Sequence, residues 1–256
     1  MDILTKIVEK KRQRLEEAKQ LRPLKELYSI STKKQSFYQA LARPGQINVI
    51  AEVKKASPSK GVICQDFRPV QIARSYELAG AAALSVLTEE DFFQGSLDIL
   101  RQIRSNVSIP ILRKDFIVDE YQVYESLEAG ADAFLLIASL LETEQISHLV
   151  DLGQKLGLDT LIEVHTAVEL EKVLNSKPKI VGVNNRNLKT FEVDIQTSVK
   201  LAATVPKDTL LVSESGINSL QDIKMLQNVG YSAFLIGEHF MKAEEPGKAL
   251  SALIKA

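Results

Sequence analysis

The sequence predicts an α/β protein, a (β/α)8 barrel of eight strand–helix units preceded by an extra N-terminal helical segment. From residue 48 onward, short apolar runs rich in β-branched residues recur about every 20 to 35 residues. Helical patterns separate these runs, and such alternation is typical of a parallel sheet. Eight units in succession suit a closed barrel. The predicted strands begin near Val49, Leu84, Ile111, Ala133, Thr160, Ile180, Leu210 and Ala233.

The segments between the strands carry helix stop signals. Gly80, Gly130 and Gly230 each follow a helical pattern, and a left-handed glycine commonly terminates a helix. An open doubly wound sheet is the alternative architecture. No GxGxxG motif follows any predicted strand, so the main signature of that alternative is missing. The predicted helices include residues 70–78, 121–127, 143–156, 167–174 and 220–229.

The first 46 residues differ from the repeating units and predict a helical extension packed on a barrel of residues 47–256. The basic run at 10–14 is interleaved with glutamates, so we interpret it as a solvated helix face rather than a nucleic-acid patch. Residues 36–45 predict a second short helix that stops at Pro44. The apolar face of the first helix comprises Ile3, Leu4, Ile7, Val8 and Leu15.

Composition and charge restrict the functional classes. The 256 residues carry a net charge of −1, so we expect no overall attraction to nucleic acid or to an anionic membrane. Cys64 is the only cysteine, which excludes an intrachain disulfide and favours a reducing, cytoplasmic setting. The first residues lack the pattern of a signal peptide, and the longest apolar run, residues 133–141, is too short to cross a bilayer.

Charged and polar residues gather at the carboxyl ends of the predicted strands, where barrel enzymes hold their active sites. Glu52 and Lys54 end the first strand and share one face, because they are two residues apart. The amino ends of the strands carry far fewer charges. We therefore predict an active site at this rim rather than ordinary solvated strand ends. The later strand-end residues are Arg113, Lys114, Asp115, Glu163, His165, Asn184, Asn185, Arg186, Ser213, Glu214, Ser215, Gly216, Gly237 and Glu238.

The last two strand ends predict a phosphate site. Ser215 and Gly216 follow the seventh strand, and Gly237 follows the eighth. Glycines let backbone N–H groups approach an anion closely, and barrels often bind phosphate at these two loops. Plain tight turns are the alternative explanation. Glu238 would repel a phosphate, so we expect its side chain to point away and only its N–H to serve.

Lys114 and Glu163 are candidates for an acid–base pair, because the third and fifth strand ends can both reach a central substrate. We expect desolvation and neighbouring cations to lower the pKa of Lys114, and an apolar wall to raise the pKa of Glu163. Such shifts suit proton transfer near neutral pH. The alternative is a salt bridge without chemistry, between Lys114 and Glu163 or between Lys54 and Glu52.

The sequence predicts no metal site. The three histidines, His148, His165 and His239, lack ligand spacing, and no carboxylate cluster stands alone. We interpret His165 as a loop residue, with a supporting role behind the site as the alternative. No Ser-His-Asp or nucleophile-elbow pattern is present.

Long motifs at these strand ends resemble the indole-3-glycerol phosphate synthase family. They are "IAEVKKASPSKG" at 50–61, "ILRKDFIVDEYQVYESLEAGADAFLLIA" at 111–138, "LIEVHT" at 161–166, "VGVNNRNLKTFEVD" at 181–194, "VSESGI" at 212–217 and "FLIGEHFM" at 234–241. The N-terminal segment also resembles the extra helix that precedes the barrel in that family.

The resemblance implies a carboxy-lyase of tryptophan biosynthesis. Its substrate would be 1-(2-carboxyphenylamino)-1-deoxyribulose 5-phosphate, and the enzyme would close a pyrrole ring with loss of CO2 and water. Lys114 would be the general acid for ring closure, and Glu163 would assist proton transfer and dehydration. Glu52 would orient the lysines, and Lys54 would hold the carboxylate or phosphate. No metal or organic cofactor is implied.

The resemblance also implies the substrate contacts. Ser57, Asn184 and Arg186 would position the substrate, with Glu214 beside them. Phe116 and Leu135 would form the wall against the aromatic ring. Ser215, Gly216 and Gly237 would help to cup the phosphate, but the family often has Ser or Thr where this chain has Glu238. The loop at 55–65 is predicted to be a mobile cover that excludes water, and the N-terminal segment would help to close the same mouth.

Two other functional classes remain as alternatives at this stage. A phosphoribosylanthranilate isomerase would use a Cys or Asp acid–base pair, which fits Lys54, Lys114 and Glu163 poorly. A non-catalytic barrel that only binds a sugar phosphate should have lost some charges at the mouth, and none of the matched ones is missing. We expect a monomer that acts on a small sugar phosphate.

Overall fold

A computed structural model of the chain describes residues 3–27, 35–188 and 190–255. Part of the predicted N-terminal extension, residues 1–2 and 28–34, lies outside them. Within the described residues, eight parallel strands close into a TIM barrel, so the predicted fold is confirmed. Each strand pairs with its neighbours in chain order, and the last strand pairs with the first. The strands are β1 (Asn48–Val53), β2 (Ala83–Leu87), β3 (Ile111–Lys114), β4 (Ala133–Ile137), β5 (Asp159–Val164), β6 (Ile180–Asn184), β7 (Leu210–Glu214) and β8 (Tyr231–Ile236).

Helices cover the outside of the barrel, and the apolar side chains between strands and helices form the larger core. The predicted glycine stops are confirmed, with φ of 97° at Gly80, 87° at Gly130 and 106° at Gly230. The five predicted barrel helices are present, and additional short helices complete the ring. The helices are α1 (Ile3–Leu21), α2 (Phe37–Leu41), α3 (Pro69–Ala79), α4 (Leu97–Arg104), α5 (Glu120–Glu128), α6 (Thr143–Lys155), α7 (Ala167–Leu174), α8 (Gln196–Ala202), α9 (Leu220–Asn228), α10 (Glu238–Met241) and α11 (Pro246–Lys255).

Strand alternation decides which side chains enter the barrel. Ile50, Leu112, Leu161 and Val212 belong to a second buried cluster inside the sheet. Successive side chains in a strand point to opposite faces, so the residues two positions further along also point inward. Those residues are Glu52, Lys114, Glu163 and Glu214. The barrel interior is therefore apolar in its lower layers and ionisable in its top layer.

The short helix α2 closes the amino end of the barrel. Phe37 and Leu41 are fully buried and join the interior cluster. The Asn48 amide donates to the backbone oxygens of Leu41 and Ser232 at 2.9 and 3.0 Å, which ties α2 to β1 and β8. Among the described residues, apolar side chains fill this end of the barrel, and the cavity opens at the carboxyl ends of the strands.

The long helix α1 packs along the barrel and reaches the opposite, open end. Ile7 and Leu15 are buried, as predicted for its apolar face. Lys11 is also buried and forms a 2.9 Å ion pair with Asp115, just after β3. The prediction that the basic run is a solvated face is therefore wrong for Lys11, because a buried carboxylate binds this cation. No helix in the described part of the chain is both long and apolar enough to cross a membrane.

Candidate active site

One cavity of about 900 Å³ opens at the carboxyl ends of the strands. Every residue predicted to have a catalytic, substrate-binding or phosphate-binding role lines it, whereas Arg113, His165, Asn185 and Ser213 of the predicted rim do not. The charged lining residues come from different strands, so the parallel register brings together groups far apart in sequence. The lining includes Glu52, Lys54, Ser57, Lys114, Phe116, Leu135, Glu163, Asn184, Arg186, Glu214, Ser215, Gly216, Gly237 and Glu238.

Lys114 is the centre of the charged layer. Its Nζ lies 3.2 Å from Oε2 of Glu163 and 3.8 Å from Oε2 of Glu214. Both glutamate side chains are 2% exposed, whereas that of Lys114 keeps 16% exposure toward the cavity. One ammonium group thus faces the cavity with two buried carboxyl groups behind it.

The expected pKa shifts of Lys114 and Glu163 are wrong in direction. Burial alone would lower the pKa of Lys114, but the carboxylates of Glu163, Glu214 and Glu52 outweigh it and raise that pKa. Burial would raise the pKa of Glu163, but Lys114, His165 and Asn184 outweigh it and hold that pKa well below its usual range. The neighbours of Lys114 are anions, not the cations that we expected.

Glu214 is the carboxyl group whose pKa is raised, to about 8. Burial is the largest cause, and the adjacent negative charge of Glu163 adds to it, whereas Lys114 opposes it only in part. Its Oε1 has no hydrogen-bond partner among the described residues. An ionised oxygen in that position would be costly. The geometry and the shift both favour a protonated Glu214 at neutral pH.

Two inward-facing glycines make room for the buried carboxyl groups. A Cβ on Gly182 of β6 would overlap Oε1 of Glu214, and its distance to Cδ of that residue would be 3.3 Å. A Cβ on Gly237 would lie 2.9 Å from Cβ of Glu52. Neither contact is possible without movement of the glutamate. The strands therefore need a residue without a side chain at these two places.

Glu52 and Lys54 form an ion pair at the end of β1. Glu52 is buried and Lys54 is half-buried at the cavity wall. The two side chains share the inward face, as the spacing predicts. After them, Ala56–Ser57 and Gly61–Val62 form a small antiparallel ribbon that places Ser57 over the mouth.

Arg186 and Glu238 meet at the part of the mouth formed by the loops after β6 and β8. Nη2 of Arg186 donates to Oε2 of Glu238 at 3.0 Å, and Nζ of Lys242 donates to Oε1 of the same residue at 2.6 Å. Glu238 therefore lies between two cations, and this reduces its repulsion of an anion. Asn184 accepts a 3.0 Å hydrogen bond from the backbone N–H of Arg186, which fixes the start of this loop.

The turn after β7 has an unusual backbone. Ser215 has φ of 65° and Gly216 has φ of 77°. A positive φ is rare in a residue other than glycine, and the strain needs support from its surroundings. The Asn185 amide supplies that support, since it donates to the backbone oxygen of Ser215 at 3.0 Å and to Oγ of Ser213 at 3.1 Å.

An aromatic and aliphatic wall faces the charged groups. The rings of Phe93 and Phe116 are 6.0 Å apart between centroids, and both residues line the cavity with Leu135. Phe93 was not among the predicted site residues, because it lies six residues beyond Leu87, the end of β2, and not at the strand end itself. Ile3 and Ile7 of α1 also line the cavity, consistent with the prediction that the N-terminal segment helps to close the mouth.

His165 lies in the turn between β5 and α7, as interpreted, and its contact with Glu163 also fits the alternative of a supporting role behind the site. Its Nε2 lies 3.3 Å from Oε1 of Glu163, and its Nδ1 lies 3.2 Å from Oε2 of Glu169. Burial would lower its pKa, but the two carboxylates raise it to about 10. The spacing of Glu163, His165 and Glu169 was the available signal, because His165 lies two residues after Glu163 and four residues before Glu169, at the start of α7. No group of three potential metal ligands is present among the described residues.

The fold and the site together define a class of protein. A (β/α)8 barrel that gathers a lysine, buried glutamates and backbone-lined turns at its open end is an enzyme of the barrel class suited to acid–base chemistry on a small anion.

Comparison with known proteins identifies the family. The profile of indole-3-glycerol phosphate synthase matches residues 4–253. An indole-3-glycerol phosphate synthase from Polaromonas naphthalenivorans is 48% identical over 258 residues, which cover 98% of each chain. The one from Delftia acidovorans is 52% identical over 214 residues, covering 82% of this chain and 80% of that one. The chain therefore belongs to the indole-3-glycerol phosphate synthase family.

A solved structure shows the same fold in a distant protein. The N-acetylmannosamine-6-phosphate 2-epimerase from Clostridium perfringens superposes with a TM-score of 0.63 at 15% identity. The match covers 82% of this chain and 93% of that one. At this identity the likeness concerns the fold alone.

Proposed function

We propose that this protein converts 1-(2-carboxyphenylamino)-1-deoxyribulose 5-phosphate to indole-3-glycerol phosphate, with Lys114, Glu163 and Glu214 as the proton-transfer groups. The reaction has three stages: ring closure, loss of CO2 and loss of water. Membership of the family supports the overall reaction, and the geometry of the charged layer supports the roles of its residues.

Ring closure needs an acid at the ketone oxygen. The ring carbon that bears the carboxylate attacks the ketone carbon, and the carbonyl electron pair moves to oxygen, which takes a proton from Lys114. A raised pKa keeps this lysine charged at neutral pH, and the developing alkoxide is far more basic than an amine. Proton transfer from Lys114 is therefore favourable, and its charge stabilises the oxygen before the proton moves.

Decarboxylation requires no additional base. The carbon–carboxylate bond breaks, and its electron pair returns to the ring, which regains aromaticity. The apolar wall of Phe93, Phe116 and Leu135 favours this step because a dry surface holds the flat ring and lets CO2 leave as a neutral molecule. Lys54 and Arg186 would lie on either side of the substrate and would position its carboxylate and its phosphate.

Dehydration needs both an acid and a base. Glu214, protonated at neutral pH, would donate to the leaving hydroxyl group, and the nitrogen lone pair would assist its departure. Glu163, ionised, would then remove a proton from the neighbouring methylene carbon to give the indole. Two carboxyl groups with pKa values displaced in opposite directions provide these two roles at one pH.

The phosphate would lie at the turns after β7 and β8. Ser215, Gly216 and Gly237 would present backbone N–H groups, and Glu238 would contribute its N–H while its carboxylate stays paired with Arg186 and Lys242. Ser57 and Asn184 would contact the sugar. Glu52 would keep Lys54 and Lys114 in place.

We further propose that the barrel of residues 47–256 and the helical extension of residues 1–46 act as one domain. The expected cellular setting is the cytoplasm, and the expected state is a monomer without a nucleic-acid partner. Size-exclusion chromatography with light scattering tests the oligomeric state. Protein concentrations of about 1 and 50 µM span typical dimer affinities. A mass that doubles with concentration would contradict the monomer.

The observation that carries the proposal is the contact of Lys114 with both Glu163 and Glu214 at the open end of the barrel. The test is to add substrate to the purified protein in the presence of a chelator and to follow the fluorescence of the indole product. We expect product without added metal. Absence of product, or activity only after a metal is restored, would refute the proposed reaction course.

A further inference from the structure

We propose that His165 is a positioning residue that keeps Glu163 ionised, so that the one proton shared by Glu163 and Glu214 stays on Glu214. This inference rests on the proposed function, in which Glu163 is the base and Glu214 the acid of dehydration. His165 does not line the cavity, so it would act through Glu163 and not on the substrate.

The geometry shows a histidine held between two carboxylates. Nδ1 of His165 forms a 3.2 Å hydrogen bond with Oε2 of Glu169, and Nε2 lies 3.3 Å from Oε1 of Glu163 without hydrogen-bond geometry. A neutral imidazole that donates from Nδ1 would turn the lone pair of Nε2 toward a carboxylate oxygen, whereas the imidazolium carries an N–H on both nitrogens. The side chain is 11% exposed, so water cannot readily replace either carboxylate. This arrangement selects the charged form of the ring.

The two glutamates at Lys114 have unequal surroundings. Glu163 receives Lys114 at 3.2 Å, the His165 ring, and a hydrogen bond from Asn184. Glu214 receives Lys114 at the longer distance of 3.8 Å, and its Oε1 has no partner within the described residues. Two adjacent buried carboxyl groups do not both ionise at low cost. The better-supported one, Glu163, takes the charge, and the proton remains on Glu214.

Several groups make the surroundings of Glu163 and Glu214 unequal, and among them His165 lies outside the cavity that would hold the substrate. Lys114 serves both glutamates, so it does not distinguish strongly between them. The charged groups that face His165 are Glu163 from β5 and Glu169 from α7. Because Glu169 balances part of its charge without contacting Glu163, the histidine can stay protonated throughout the catalytic cycle.

A purely structural role predicts different behaviour. The backbone N–H of His165 donates to Oε2 of Glu169 at 2.7 Å, and Oγ1 of Thr166 accepts from the N–H of Glu169 at 3.2 Å. Neither bond uses the imidazole, so a side-chain substitution leaves both contacts at the start of α7 available. Loss of the ring should therefore change the proton distribution more than it changes the fold.

The first test is the pH profile of His165→Gln in the full-length protein. Removal of the cation makes Glu163 easier to protonate, so the acid limb of the kcat profile should move upward by about one pH unit. Below the shifted midpoint more of Glu163 is protonated and cannot act as the base, so kcat there should fall by up to about 10-fold relative to wild type, the factor that one pH unit represents. KM should change less. An unchanged profile would overturn the proposal.

His148→Gln is the matched control. His148 also faces a glutamate, Glu120, at 3.3 Å, but its side chain is 63% exposed and lies outside the cavity. This variant should keep the wild-type pH profile. Equal effects of the two substitutions would overturn the inference, because they would show that loss of any histidine–glutamate pair suffices.

A second measurement does not depend on activity or on the stability of a variant. In the NMR spectrum of the wild-type protein labelled in its histidine rings, the His165 signal should remain that of an imidazolium up to about pH 9, and Glu163→Gln should lower its titration midpoint. A ring that is neutral at pH 7.5 would overturn the proposal. The kinetic assay on Glu163→Gln and Glu214→Gln distinguishes a failure of the proposed function from a failure of this inference. If both keep normal kcat, the proposed function fails; if both lose it and His165→Gln keeps the wild-type pH profile, only this inference fails.

Discussion

Lys11 and Asp115 form a buried ion pair of 2.9 Å that joins the N-terminal helix to the residue directly after Lys114. Asp115 also accepts a 3.0 Å bond from Arg113 and a 2.6 Å bond from the hydroxyl of Thr88. Burial would raise the pKa of Asp115, but Lys11 and Arg113 outweigh it and hold that pKa well below its usual range. The extension is thus connected to the end of β3 through a fully desolvated charge.

Lys11→Met should destabilise the protein by about 3 kcal/mol, since removal of one partner leaves a buried charge less well compensated. Asp115 is ionised in the folded state, and its unfolded pKa is about 3.9. Its contribution is present above that pH and is lost as the pH falls below it, so the loss in Lys11→Met should persist from pH 8 down to about pH 5. Urea unfolding at several pH values measures this loss of stability. Lys10→Met, an exposed neighbour, is the control, and an equal effect there would contradict the role of the pair.

Lys114→Ala should lower kcat by at least about 100-fold, which is the usual scale of a lost general acid. Lys114→Arg separates charge from proton transfer, because a guanidinium keeps the charge but does not give up its proton near neutral pH. We expect Lys114→Arg to remain nearly as impaired as Lys114→Ala. Steady-state kinetics with Lys155→Ala as the exposed control provide the measurement. Recovery to within a few-fold of wild type in Lys114→Arg would show that charge alone is required.

Glu214→Gln should abolish most activity but stabilise the fold at high pH. The folded pKa of Glu214 is about 8, above the unfolded value of about 4.3. A carboxyl group with a raised pKa costs no stability below the unfolded pKa, and its cost grows as the pH rises between the two values. The difference in Tm between Glu214→Gln and the wild type should therefore increase from pH 5 to pH 8 and then level off. Each kcal/mol of stabilisation should raise the Tm by about 2–4 °C. Glu171→Gln, at an exposed position, is the control. A difference in Tm between Glu214→Gln and the wild type that does not change with pH would refute the raised pKa of Glu214.

The fold was predictable because it depends on local patterns. All eight strands begin within two residues of their predicted positions, since apolar runs and glycine stops such as Gly80 recur with each unit. The family was predictable because long strand-end motifs surround Lys114 and Glu163, and the comparisons confirm it. The positions of the predicted site residues follow from strand alternation, because Glu52 lies two residues beyond the inward Ile50.

What the sequence did not predict depends on neighbours across the barrel. The pKa directions of Lys114 and Glu163 were wrong because no sequence pattern shows which opposite charges meet each group. Lys114 contacts both Glu163 and Glu214, and Glu163 lies between Lys114 and His165. Burial of Lys11 depends on how α1 docks at Asp115, and the helical pattern of α1 does not contain that information. The contact of His165 with Glu163 likewise depends on how the chain turns from β5 into α7.

A substitution at Gly182 tests how the carboxyl group of Glu214 is positioned. Its missing side chain leaves the space that Glu214 occupies, and an added Cβ would lie 3.2 Å from Cδ1 of Leu161 as well. Gly182→Ala should push the carboxyl group away from Glu163 and Lys114, so kcat should fall about 10-fold or more with a smaller change in KM. Its φ is outside the left-handed region, so backbone strain does not explain such a loss.

A double-mutant cycle distinguishes displacement of Glu214 from general damage to the barrel. Asp is one methylene shorter than Glu, so Glu214→Asp leaves room for the alanine methyl group. We expect Gly182→Ala to cost little when it is added to Glu214→Asp, although each substitution alone lowers kcat. Residues in direct contact commonly show such non-additivity. If the two effects simply multiply in kcat while the Tm values add, Gly182 does not act through Glu214, and its role is confined to packing against Leu161.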